Sequence, residues 1–118
     1  MRIDITEANG VALLALVNER LDAHNSDQVK AKIREVFESG AKDVVVDLSE
    51  VSFIDSCVLG AMVSGFKNAI SHHGRLALSG LQTQPRSMFD LTRLTRVFDI
   101  YDNAESALGS FSGEEQSV

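Results

Sequence analysis

The residues whose types and spacing invite chemistry meet at one junction, Asp55-Ser56-Cys57. They follow the apolar pair Phe53-Ile54 and precede an apolar series with helical spacing, so an acid, a hydroxyl and a thiol stand together where a helix should begin. Three roles are open to such a group. Nucleophilic attack by Ser56 or Cys57 needs a base within hydrogen-bond reach. The histidines are His24, ahead of the first expected helix, and the adjacent pair His72-His73 in an expected exposed loop; Ile54 and Val58 stand where a G-x-S-x-G nucleophile elbow has glycines. The second role is capping, for which Asp and Ser are both preferred. The third is modification of Ser56. A hydroxyl at a helix N-terminus lies where free N–H groups and the helix dipole favour an anion. A phosphate there adds roughly −1.5 to −2 charge without breaking the helix. Residue types alone leave capping and modification both open.

Other chemistries have less behind them. The side chains of neighbouring His72 and His73 diverge, and no H-E-x-x-H spacing exists, so no metal is expected. The lone Cys57 excludes an internal disulfide and a thiolate cluster. No G-x-x-x-x-G-K-[ST] loop is present, Gly60 and Gly65 form no phosphate cradle, and no cofactor is expected. Glu35, Glu38, Asp43 and Glu50 are spread along the chain as a solvated face rather than paired for acid–base work.

The elements that must position the junction follow from hydrophobic period. Ile3 and Ile5 alternate with polar residues, Asn9-Gly10 supplies a turn, and residues 11–17 form a longer apolar run, which together predict a hairpin. Asn25 or Ser26 can cap a first helix in which Val29, Ile33, Val36 and Phe37 make one stripe, with Gly40 ending it. Residues 44–48 read as a buried central strand. Leu59, Met62, Val63, Phe66 and Ile70 give a second helix, and 76–78 a short strand. A third helix has Pro85 in its first turn and Met88 and Phe89 facing inward; 97–101 is a last strand and 104–108 a closing helix. The order predicts an α/β fold, a small mixed β-sheet with helices mainly on one side. A single domain over 1–108 is expected, followed by a mobile polar tail over 109–118.

With 118 residues, a net charge of −6, no Trp and one Tyr, the chain is poorly suited to phosphate backbones or stacked bases, so no nucleic acid partner is expected. A mean hydropathy of +0.01 and the lack of a long apolar run predict no membrane span. The first ten residues show no secretory pattern, and a cytoplasmic location is expected.

The stretch D-L-S-E-V-S-F-I-D-S-C-V-L-G, residues 47–60, resembles the D-L-x-x-V-x-F-[ILM]-D-S-[ST]-G-L-G signature of STAS-domain anti-sigma-factor antagonists. The likeness extends from about residue 3 to 108. It takes in Arg20-Leu21-Asp22, where the family often has G-E-L-D, and Met88-Phe89-Asp90-Leu91-Thr92, similar to the family's L-F-[DE]-[LIM]-[TS]-G. The resemblance implies a binding module and not an enzyme. It implies that Ser56 is phosphorylated by a partner that is both an anti-sigma factor and a serine kinase of the histidine-kinase-like ATPase fold. A metal-dependent serine phosphatase would reset it. Asp55 would orient the hydroxyl, and Asp22, Asp55, Cys57, Val58 and Leu59 would form the partner surface. The alternative is a constitutive STAS scaffold or transporter-associated subunit in which Ser56 serves only as the helix N-cap. Three positions depart from the pattern: Cys57 stands for Ser or Thr, Val58 for Gly, and Arg93 for the Gly after Leu91-Thr92. A β-branched valine takes positive φ poorly, so the backbone at Val58 is expected to be one open to ordinary residues.

Overall fold

Side-chain alternation along three parallel strands divides this protein into two unequal layers. The computed structural model describes residues 1–8 and 10–112. In chain order the elements are β1 (Arg2–Ala8), β2 (Val11–Val17), β3 (Arg20–Leu21), α1 (Ser26–Glu38), β4 (Asp43–Asp47), β5 (Phe53–Ile54), α2 (Ser56–Ser71), β6 (Arg75–Ser79), α3 (Thr83–Leu91), a 3-10 turn (Leu94–Arg96), β7 (Asp99–Tyr101) and α4 (Ala104–Ser112). The main sheet has the order β1-β2-β4-β6-β7. β1 runs antiparallel to β2 and the remaining pairs are parallel, so the sheet is mixed, as the hairpin followed by alternating elements predicts.

On one face Leu14 and Leu16 of β2, Val44 and Val46 of β4, and Leu76 and Leu78 of β6 pack with Ile33 and Phe37 of α1, Met62 of α2 and Phe89 of α3. On the other face Val11, Val45 and Ala77 pack with Ala107 of α4, with Leu13, Tyr101, Leu108 and Phe111 partly buried around them. Three helices thus cover one face and α4 the other. Burying a large aliphatic or aromatic side chain contributes roughly 1.5–3 kcal/mol. The bulky residues lie on the three-helix face, so that layer carries most of the apolar stabilisation.

Local rules set the ends. Gly10 has φ +81 in the hairpin turn, while Asn9 lies outside the described residues. α1 stops at Gly40, φ +114, whose N–H donates to Phe37 O (3.1 Å) as Ala41 N donates to Val36 O (3.3 Å). That crossed pair is the Schellman arrangement, and it needs a residue free to adopt positive φ.

Several expectations are corrected. β3 was not foreseen: two residues of the break before α1 pair in parallel with β5. Ile70 is 59% exposed, because the buried stripe of α2 runs through Val58, Leu59, Met62, Gly65 and Ala69 instead. His72 is no solvated loop residue; it ends α2 half-buried and stacks on Phe37 with ring centroids 5.8 Å apart. The last strand begins at Asp99, since Leu94–Arg96 forms a 3-10 turn before it. The closing helix runs on to Ser112, so residues 109–112 of the expected tail are helical, and 113–118 lie outside the described residues.

Arg93 joins α3 to the 3-10 turn in the left-handed region, φ +62 and ψ +18. A side chain there costs about 1 kcal/mol relative to glycine. Arg93→Gly is therefore expected to raise the unfolding free energy by about 1 kcal/mol, read from urea denaturation; an unchanged or lowered midpoint would contradict the strain.

Candidate functional site

The junction is built around the Asp55 carboxylate. Asp55 is the N-cap of α2, in extended conformation, and its Oδ1 accepts from Val58 N–H at 3.1 Å. Its Oδ2 accepts from Ala23 N–H at 3.1 Å, in the loop before α1. One side chain thus closes the first turn of α2 and fastens a loop 32 residues earlier in the chain. Ser56 is the first helical residue, and its exposed hydroxyl has no hydrogen-bond partner among the described residues. Of the two candidate caps, Asp55 does the capping, which corrects the alternative in which Ser56 is the N-cap.

What holds Asp55 in place is a set of contacts on the two residues ahead of it. β3 and β5 pair Arg20 with Phe53 and Leu21 with Ile54. The Arg20 guanidinium lies over the Phe53 ring, 3.9 Å from its centroid. From α3 the Gln84 side chain acts as a third strand would: its Oε1 accepts from Ile54 N (2.9 Å) and its Nε2 donates to Ile54 O (3.0 Å). Upstream, the Asp47 carboxylate accepts from Ser79 Oγ at 2.7 Å and Ser49 Oγ at 2.6 Å, and Gln82 Nε2 donates to Ser49 O at 2.8 Å. β6 and α3 together therefore fix the loop between β4 and β5. Sequence reasoning missed Gln84 and β3, since a single amide and a two-residue strand leave no periodic signal.

Asp22 lies in the loop that Asp55 fastens. Its Oδ1 accepts from His24 N–H at 2.9 Å, and Arg20 Nε stands 3.4 Å from Oδ2. The His24 N–H bond, more than any other contact, holds the Asp22 carboxyl below the ordinary carboxylate value, helped by the His24 ring and Arg20. Asn25 was a candidate cap for α1. Its Oδ1 instead accepts from Asp22 N–H at 2.8 Å, so α1 starts without a side-chain cap.

The structure brings Asp22, Asp55, Ser56 and Cys57 to one place, but not every expected surface residue is at the surface. Val58 has no exposed area and Leu59 only 6%; both side chains point into the core, which corrects their assignment as contact residues. Cys57 is exposed. Beside it a cleft of about 330 Å³ opens between the first turns of α1 and α2, lined by Ser26, Asp27, Lys30, Cys57, Gly60 and Ala61. Val58 lies in α2 at ordinary helical φ, as its β-branched side chain requires. Gly60 is exposed within α2, and a Cβ built on it meets nothing within 4 Å, so no packing inside the chain calls for glycine there.

Two variants test this geometry. Asp55→Ala removes the cap and the tie to Ala23 and is expected to cost about 1–2 kcal/mol in urea unfolding; a loss under a few tenths would mean the cap is not stabilising. Gly60→Ala should stabilise by about 1 kcal/mol, since a helical glycine is that much worse than alanine where space is open; a destabilised protein would show an unseen steric constraint.

Residues 2–107 match the family described as STAS domain. The chain is 31% identical over 99 residues to the anti-sigma-B factor antagonist of Listeria monocytogenes serovar 1/2a, covering 83% of this chain and 86% of that protein. It is 28% identical over 109 residues to the anti-sigma F factor antagonist of Paenibacillus polymyxa, covering 92% of each. A Thermotoga maritima crystal structure, described as that of a candidate anti-sigma factor antagonist, superposes with a TM-score of 0.83 at 25% identity, over 92% of both chains.

Proposed function

This chain belongs to the STAS domain family, among relatives named anti-sigma factor antagonists, and we propose that it is itself an antagonist of this kind, a binding protein switched by phosphorylation of Ser56. The observation that carries the reading is the division of roles at the junction: Asp55 caps α2, which leaves the Ser56 hydroxyl exposed at a helix N-terminus and unbonded among the described residues. A kinase needs such a hydroxyl, and removing or modifying it costs the fold little.

In the unmodified state the start of α2, with Ser56 and Cys57, and the adjoining loop with Asp22 dock on an anti-sigma factor that is also a serine kinase of the histidine-kinase-like ATPase fold. The kinase transfers the γ-phosphoryl of ATP to Ser56 Oγ. The Oγ–P bond forms as the bond to ADP breaks, and the hydroxyl proton passes to a base on the kinase. The new dianion is tolerated by the α2 N-terminus, where an anion gains roughly 0.3–1 kcal/mol. In an interface shaped around a neutral hydroxyl it is repelled or poorly desolvated. A penalty of about 3 kcal/mol lowers affinity more than a hundredfold, enough to release the partner. A serine phosphatase restores the binding form. The protein acts in this scheme as substrate and ligand, in the cytoplasm; among the described residues no helix is long and apolar enough to cross a membrane.

The test is labelling with a serine kinase of that fold and ATP, read by intact-mass spectrometry. One phosphate is expected on the wild type and none on Ser56→Ala, whose stability should stay within about 0.5 kcal/mol because its hydroxyl caps nothing. Ser56→Asp should bind the kinase about a hundredfold more weakly with an unchanged far-UV spectrum. Equal labelling of wild type and Ser56→Ala would refute the switch. So would an undiminished affinity of Ser56→Asp, which would favour a constitutive scaffold.

A further inference from the structure

We propose that the cleft between the first turns of α1 and α2 seats a carboxylate side chain, an Asp or Glu presented by the protein partner; this rests on the partner-binding reading above and names the chemistry it uses. The first observation is Ser26. It is a polar residue only 8% exposed, it lines the cleft, and its hydroxyl has no hydrogen-bond partner among the described residues. A buried hydroxyl left without a partner is costly, so an occupant that accepts its hydrogen bond is favoured.

The second observation is where the cleft lies. Its lining comes from the N-terminal turns of two long helices, 13 and 16 residues. In α2 the Asp55 carboxylate accepts only from Val58 N–H, and Ser56 and Cys57 N–H are unbonded among the described residues. Both helices start beside the cleft, so the positive ends of their dipoles lie near it. Lys30 adds a full cation on the lining, and Asp27, in the first turn of α1, is the one anion there and offsets part of the field. Among the described residues the lining leaves two donors without a partner, the Ser26 hydroxyl and the Lys30 ammonium. A carboxylate is acceptor-only and suits both. Gly60 and Ala61 leave the α2 wall low enough for a side chain to enter.

This site also gives the switch a local cause. Ser56 adjoins Cys57 on the cleft wall, so a phosphate on its hydroxyl sets a like charge beside the seat.

The probe is sodium acetate, titrated into the 15N-labelled chain against sodium chloride at equal ionic strength and followed by amide shifts. Acetate is expected to give saturating shifts at Ser26, Asp27, Ser56 and Cys57 that chloride does not. Lys30→Gln and Ser26→Ala should each weaken the acetate constant about threefold to tenfold, and Ser56→Asp should weaken it as well. Shifts that rise linearly, match those of chloride, or persist unchanged in Lys30→Gln and Ser26→Ala would overturn the seat. The outcome is separable from the switch: saturating acetate shifts without Ser56 labelling would uphold the seat and refute the switch, and labelling without acetate binding would do the reverse.

Discussion

Most of what is distinctive here depends on one carboxylate with two hydrogen bonds. Asp55 binds Val58 N–H with one oxygen and Ala23 N–H with the other, so helix start and distant loop are positioned by the same atoms. A cap of this kind contributes about 1 kcal/mol to a helix. Its larger consequence is that the neighbouring hydroxyl has no structural duty. Had Ser56 been the cap, any change to its hydroxyl would have removed an acceptor from α2 and loosened the helix start. With Asp55 in that role, charge can be added at the first helical position while the backbone below stays fixed.

The rest of the fold serves to hold Asp55 where both bonds can form. A short strand such as β5 cannot stand alone. It is paired to β3 on one side, held through Ile54 by the Gln84 amide, and preceded by a loop tied to β6 and α3 through Asp47, Ser79 and Gln82. These polar contacts sit over the layer in which Leu14, Ile33, Phe37, Met62 and Leu78 are fully buried. Individually each hydrogen bond contributes only about 1 kcal/mol. Together they select a conformation, while the apolar layer supplies the stability that lets the conformation persist.

How much of this was legible depends on whether the signal is periodic. The unbroken apolar runs at 11–17 and 44–48 and the stripe Val29, Ile33, Val36, Phe37 gave the inner strands and α1 correctly, because a strand covered on both faces is apolar throughout and a half-buried helix repeats at 3.6 residues. In α2 the apolar residues outnumber the buried positions, so the phase was misjudged at Ile70, which is exposed; the placing of Val58 and Leu59 at the partner surface came instead from the family resemblance, and both are buried. β3 and the Gln84 contacts escaped for the opposite reason: they are tertiary partnerships of isolated residues, with no local pattern. The end of α4 was missed because Gly109 and Ser110 read as tail, whereas Phe111 packs onto the thinner face and the Arg75 guanidinium lies 4.4 Å from its ring centroid.

The two positions where this chain has a side chain in place of the signature glycines are physically different substitutions. Val58 lies within the first turn of α2, at a backbone angle any residue can adopt, and its side chain is fully buried. The change there adds apolar volume to the core beneath the junction and leaves the exposed face as Ser56, Cys57 and Gly60 present it. Arg93 sits at φ +62, where glycine is at ease and arginine is not, and its side chain is exposed. Among the described residues no hydrogen bond or ion pair of that side chain offsets the strain. The first substitution is thus absorbed by packing, whereas the second persists as a strained cation on the surface that follows α3. Of the two, only Arg93 is placed to touch another molecule, because the valine is buried and the guanidinium is exposed.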